Sequence, residues 1–248
     1  MTRALRPLVA AFAFLTRVPV SSGPLLETDL GRSVAFFPVV GLVLGLVLAG
    51  LAALLGGALP STVLAALLIA ALAGLTGGLH IDGLADTFDA LGGGRGDRQR
   101  MLDLMRDSRI GAHGAAALVL GLLLKVFALA AVLQRRDLTL VLLFPAIGRW
   151  AVTPWIVLHP YARAEGLGRA FNGEARAREV AIATVIVAAA VLLLGPRLIA
   201  PALGALAAAA LFALWLRRRL GGLTGDVYGA TIELAEATAL VLAGAMPT

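Results

Sequence analysis

Two stretches of this chain contain no charged residue at all: Phe36 to Gly56, 21 residues, and Val63 to Leu79, 17 residues. At about 1.5 Å of rise per residue, a helix of roughly 20 residues crosses the ~30 Å hydrocarbon layer of a bilayer. Composition agrees. Hydrophobic residues make up 60% of the 248, against about 45–50% in soluble domains, and the mean hydropathy is +0.93. The apolar faces of such a chain meet lipid rather than one large soluble core.

Carried along the chain, the same reading gives seven spans, at about 35–56, 61–79, 112–133, 138–158, 179–194, 198–216 and 228–246. The fifth is short. The fourth carries Pro145, Arg149 and Pro154 and is expected to be kinked or broken, because proline lacks an amide donor and crowds the preceding turn. Leu5–Leu15 reads as a retained interfacial helix, since Arg17 and Pro19 interrupt the apolar stretch that a cleaved leader would need. The expected fold is therefore all-α: a polytopic integral membrane helix bundle of about seven transmembrane helices. It forms a single domain over 1–248, with the bilayer as its first partner and no internal repeat.

Charge orients the bundle. With the N-terminus in the cytoplasm, sixteen cationic side chains fall on that side and three (Arg135, Arg136, Arg197) on the other. Such a split is the usual bias of cytoplasmic loops. It also accounts for the net charge of +6. Nucleic acid is not an expected partner, because the arginines are dispersed and aromatic residues are few. The absence of cysteine excludes disulfides and thiolate metal sites.

The segment after the second span carries the chemistry. Asp82, Asp86 and Asp89 stand at i, i+4 and i+7, one face of a helix. Like charges so stacked repel, and the arrangement suits a bound cation better than a merely solvated face, since Ile81, Leu84, Ala85, Phe88 and Leu91 surround the acids. Carboxylates without His or Cys partners favour Mg²⁺ over zinc. Gly92-Gly93-Gly94-Arg95-Gly96 breaks the helix. Asp97 to Gly111 then reads as a second helix, with Asp103 and Asp107 at i, i+4 and with Arg95, Arg98, Arg100, Arg106 and Arg109 as forked donors for phosphate.

Gly77 to Asp89 (GGLHIDGLADTFD) and Met105 to Gly111 (MRDSRIG) resemble the cobalamin synthase family, the adenosylcobinamide-GDP ribazoletransferases. Gly221 to Ala230 (GGLTGDVYGA), followed by Glu233 and Glu236, is similar to that family's C-terminal signature. The resemblance covers essentially the whole chain. It implies a multi-pass enzyme of the bacterial cytoplasmic (inner) membrane whose substrates are adenosylcobinamide-GDP and α-ribazole or its 5′-phosphate. A 3′-hydroxyl attacks the phosphate attached to cobinamide, and GMP leaves. A homo-oligomer is left open. The CDP-alcohol phosphotransferases, also Asp-based, fit less well: their D-G-x-x-A-R run is absent, as Asp82-Gly83 leads into Ala85-Asp86. A transporter fits less well again, because the acids cluster at one interface rather than along a path.

In this reading Asp82, Asp86, Asp89 and Asp107 bind Mg²⁺ and do the catalytic work. Contacts to substrate are assigned to His80, Arg95, Arg100, Arg106, Ser108, Arg109, Arg149, Thr224, Asp226, Glu233 and Glu236. Lys125, within the third span, is expected to form an intramembrane ion pair, with Glu233 and Glu236 as candidates.

Overall fold

The computed structural model describes residues 5–20 and 25–246, which contain thirteen α-helices, two short 3₁₀ turns and no strand. Helix α1 (Arg6–Leu15) is the expected N-terminal helix. Next come α2 (Glu27–Ser33), α3 (Phe37–Leu55), α4 (Ser61–Thr76), α5 (Leu79–Gly93) and α6 (Arg98–Leu104). The second half holds α7 (Ala112–Gln134), α8 (Leu138–Ala151), α9 (Thr153–Leu158), α10 (Leu167–Glu174), α11 (Ala177–Leu194), α12 (Ile199–Leu220) and α13 (Gly225–Gly244).

Six helical stretches are long and apolar enough to cross a membrane, and α4 with α5 would make a seventh as one broken span. This is the polytopic bundle expected from the uncharged runs. Large apolar side chains stand uncovered by protein along these helices, as lipid contact requires: Leu54 on α3 is 77% exposed, Leu193 on α11 87% and Leu211 on α12 73%.

Close backbone approach builds the centre. Gly41 and Gly45 lie one turn apart on α3, and a Cβ at either would collide with the α8 backbone around Leu142, Pro145 and Ala146. Small residues at this spacing let membrane helices pack closely without a water-driven force between them. Leu143 to Thr153 are all buried, so α8 is wrapped on every side. The expected break in this span falls at Val152, between α8 and α9. Pro145 remains inside α8, and Pro154 occupies the first turn of α9, where no amide donor is needed.

Two expectations need correction. The second span does not run to 79. It ends at Thr76, because Gly77 (φ +65°) and Gly78 (φ +72°) are left-handed and turn α5 away from α4 by 92°. Nor is Asp97–Gly111 one helix: α6 stops at Leu104. The Asp107 side chain accepts from the Arg109 amide at 3.1 Å, a local turn that competes with helical bonding.

Two contacts gather the loops at the α5 end of the bundle. Arg98 Nε donates to the Leu220 carbonyl at 2.6 Å and its Nη2 to the Ala162 carbonyl at 3.3 Å. Tyr161 and Leu223 form a one-residue parallel bridge.

Candidate active site

Helix α5 is held down by its small and apolar face. His80, Gly83, Leu84, Ala85, Thr87 and Ala90 are buried, while Asp82 is exposed and Asp86 partly so. Gly83 and Gly229 permit the contact with α13. A Cβ at Gly83 would lie 2.7 Å from the Asp226 carbonyl oxygen, and one at Gly229 would lie 3.2 Å from the His80 Cα. This approach brings the Asp226 end of α13 against the acidic face of α5.

Two cavities meet there. The outer one, about 690 Å³, is lined by Asp82, Asp86 and Ser108, together with Arg17, Thr76 and the Gly77-Gly78 turn. The inner one, about 240 Å³, lies between α5, α13 and the loop around Tyr161–Gly168. Asp82 lines both. The Asp86 carboxylate feels the negative charges of Asp82, Asp226 and Asp89, with Arg163 acting the other way. Arg163 itself is paired with Asp226 at 2.7 Å.

The four predicted metal ligands are only partly gathered. Asp82 and Asp86 share the outer cavity. Asp89 faces the start of α7 and accepts the amides of Gly111 at 2.7 Å and Gly114 at 2.8 Å. It thus satisfies donors that the first turn of a helix leaves orphaned. Asp107 lies at the surface, bonded to Arg109 at 2.7 Å. The hydrogen bonds from the Arg109 side chain, then from its amide, hold the Asp107 carboxyl down at about 2. Among the described residues no group of three or more His, Asp or Glu is close enough to hold a metal ion by itself. Two carboxylates on one cavity nonetheless fit Mg²⁺, which is commonly held by one or two carboxylates and completes its shell with water and substrate phosphate.

The predicted substrate contacts divide in the same way. Ser108 is on the outer cavity, and His80 and Asp226 are on the inner one. Arg95, Arg100, Arg106 and Arg109 are exposed and line neither. Thr224 is the N-cap of α13: its hydroxyl accepts the Val227 amide at 3.3 Å. Glu233 and Glu236 are engaged with cations. Lys125 donates to Glu233 at 2.8 Å and to Glu236 at 2.6 Å, while Arg149 reaches Glu236 at 2.8 Å and the Pro145 carbonyl at 2.9 Å. All four side chains are buried. Two cations matched by two anions leave this layer of the bundle neutral.

Sequence reasoning missed Arg17, Arg163, Tyr161 and Tyr228 as cavity residues. Arg163 entered only the charge balance, and Arg17 that balance and the argument against a cleaved leader. Arg17 packs on Gly77 from 60 positions away in the chain, a contact with no local signal.

Fold and site together define a class: a polytopic helical membrane protein whose acidic cavity forms where a bent span meets the helix that closes the bundle. The chain matches the family described as cobalamin-5-phosphate synthase over residues 7–244. It is 46% identical over 243 residues to the adenosylcobinamide-GDP ribazoletransferase of Geotalea daltonii, covering 96% of each chain. It is 46% identical over 236 residues to the enzyme of that name from Ectopseudomonas mendocina, covering 93% of this chain and 95% of the relative. The corresponding protein of Pseudomonas aeruginosa is 42% identical over 247 residues, with 97% of this chain and 98% of the relative covered. No solved structure matches the chain. The chain belongs to the cobalamin-5-phosphate synthase family and is an enzyme of cobalamin synthesis. The resemblance carried by Gly77–Asp89, Met105–Gly111 and Gly221–Ala230 is thus borne out.

Proposed function

We propose that the chain is a Mg²⁺-dependent adenosylcobinamide-GDP ribazoletransferase acting at the cytoplasmic face of a bacterial inner membrane. Family membership supports the reaction, and the observation that carries the site is that Asp82 and Asp86 line one cavity a single helical turn apart. The 3′-hydroxyl of α-ribazole, or of its 5′-phosphate, attacks the phosphorus attached to cobinamide. A new P–O bond forms, the bond to the GMP phosphate breaks with its electron pair going to GMP, and the hydroxyl proton is released.

Asp82 and Asp86 would hold Mg²⁺, which supplies charge neutralisation to the diphosphate and to the leaving oxygen. Arg17, on the same cavity, adds a fixed cation for phosphate oxygens. Gly78, with open space where a Cβ would go, lets backbone approach the phosphates without a side chain in the way. Asp82, lining both cavities, receives the hydroxyl proton in this scheme. Asp89 and Asp107 join the metal set only by giving up the partners described above. The excess of arginines on the N-terminal side supports the cytoplasmic placement of the site.

The test uses the full chain in lipid nanodiscs with adenosylcobinamide-GDP, α-ribazole and Mg²⁺. The expected result is release of GMP with formation of adenosylcobalamin, abolished by EDTA and restored by Mg²⁺. Turnover of CDP-diacylglycerol with an alcohol, and none with the corrinoid, would overturn the proposal.

A further inference from the structure

Aromatic residues are scarce in this chain, with nine Phe and two Tyr. Yet three of those phenylalanines and both tyrosines line the inner cavity: Phe14, Phe37, Phe171, Tyr161 and Tyr228. Three of the rings form one packed group. Phe14 and Phe171 have centroids 4.5 Å apart, Phe37 and Phe171 5.8 Å, and Phe14 and Phe37 6.3 Å. A cluster of rings could be ordinary core, but this one borders about 240 Å³ of space. Its polar groups are also unfinished. Three lining residues carry buried atoms with no hydrogen-bond partner: Arg163 Nε, whose guanidinium is otherwise paired with Asp226, and His80 Nε2 and Tyr228 Oη, in residues only 4% and 8% exposed. Buried polar atoms are almost always satisfied, so the orphans on His80 and Tyr228, which have no ion pair to hold them, mark where a ligand's own polar atoms belong.

The space is below the roughly 300–1,000 Å³ of a pocket that takes a whole drug-sized ligand. It is too small for a corrinoid or an entire guanosine diphosphate, and the arginine on its wall, Arg163, is already paired with Asp226, which leaves a diphosphate facing carboxylates. What it suits is one flat aromatic ring system with few hydrogen-bonding atoms. Resting on the ribazoletransferase reading, we propose that the inner cavity seats the aromatic base of the acceptor nucleoside, with His80 and Tyr228 as its polar contacts. Asp82 and Leu79 line both cavities. The sugar of a base so placed emerges at Asp82, and its hydroxyl meets the diphosphate held in the outer cavity. Donor and acceptor thus enter by different spaces and share one carboxylate.

Two measurements on the full chain in nanodiscs test this. Equilibrium dialysis with α-ribazole in EDTA isolates the base site from metal and phosphate. Wild type is expected to bind, and Tyr228→Phe, which removes one hydroxyl and no volume, to bind about tenfold more weakly. His80→Leu, which removes both ring nitrogens, is the second variant, with the same expectation. In steady-state kinetics both variants are expected to raise the KM for α-ribazole about tenfold, for the same lost bond, while the KM for adenosylcobinamide-GDP stays within about twofold. Wild-type turnover with an unchanged acceptor KM in both variants, or a shift in the donor KM instead, overturns the placement and leaves the ribazoletransferase reading standing. No GMP release from wild type overturns that reading itself.

Discussion

The ammonium of Lys125 lies 2.6 Å from one carboxylate oxygen of Glu236, deep between α7 and α13, and Arg149 holds the other oxygen at 2.8 Å. Removing one partner of such a pair leaves an uncompensated buried charge, at a cost of about 3–5 kcal/mol. Lys125→Met is therefore expected to lower the thermal midpoint in detergent sharply. The double variant Lys125→Met, Glu233→Gln is expected to lose less than the sum of the singles, since the two share one interaction. Strict additivity would show that the pair contributes nothing of its own.

Asp82→Asn and Asp86→Asn keep side-chain volume and remove charge from the outer cavity. Each is expected to cut GMP release at least about 100-fold, with the thermal midpoint close to wild type because neither carboxylate is fully buried. Retained turnover with retained Mg²⁺ dependence in either variant would remove that residue from the metal site.

Asp89 offers a sharper choice. As the acceptor for the Gly111 and Gly114 amides, it should tolerate Asn better than Ala. Losing a cap of this kind costs about 1 kcal/mol. The expected order of thermal midpoints is wild type, Asp89→Asn, Asp89→Ala, with turnover falling in step. Complete loss of turnover in Asp89→Asn at an unchanged midpoint would make Asp89 a metal ligand instead.

The bend before α5 depends on two left-handed residues. Gly78 has open space where a Cβ would go, so Gly78→Ala meets only backbone strain, about 1–2 kcal/mol. Gly77→Ala also drives a methyl group into the Arg17 side chain. The second variant is expected to show the lower thermal midpoint and the higher KM for adenosylcobinamide-GDP. Equal effects in both would argue that Arg17 is not held by the turn.

The spans were legible because absence of charge over a fixed length is a local property, set by the thickness of hydrocarbon. Asp82 and Asp86 were legible for a similar reason: helical periodicity puts them on one face wherever the helix lies. The departure of α5 at 92° was not, because Gly77-Gly78 reads as well as the tail of a span as it does a turn. Asp89 looked like a third ligand because periodicity says which residues share a face and nothing about the α7 amides that meet it. Tyr161 and Tyr228 lie 67 positions apart in chain numbering, and only the fold brings them to one cavity.

The closeness of α5 to α13 through Gly83 and Gly229 has a consequence for biogenesis. Until α13 joins helices α1 to α12, Lys125 and Arg149 lack Glu233 and Glu236, the acids that pair with them among the described residues, and the acidic helix lacks one of the helices it packs against. The helix that completes the inner cavity is thus also the helix that neutralises the buried cations. A chain arrested before α13 lacks Asp226 on the inner cavity and leaves Lys125 and Arg149 without the glutamates that neutralise them.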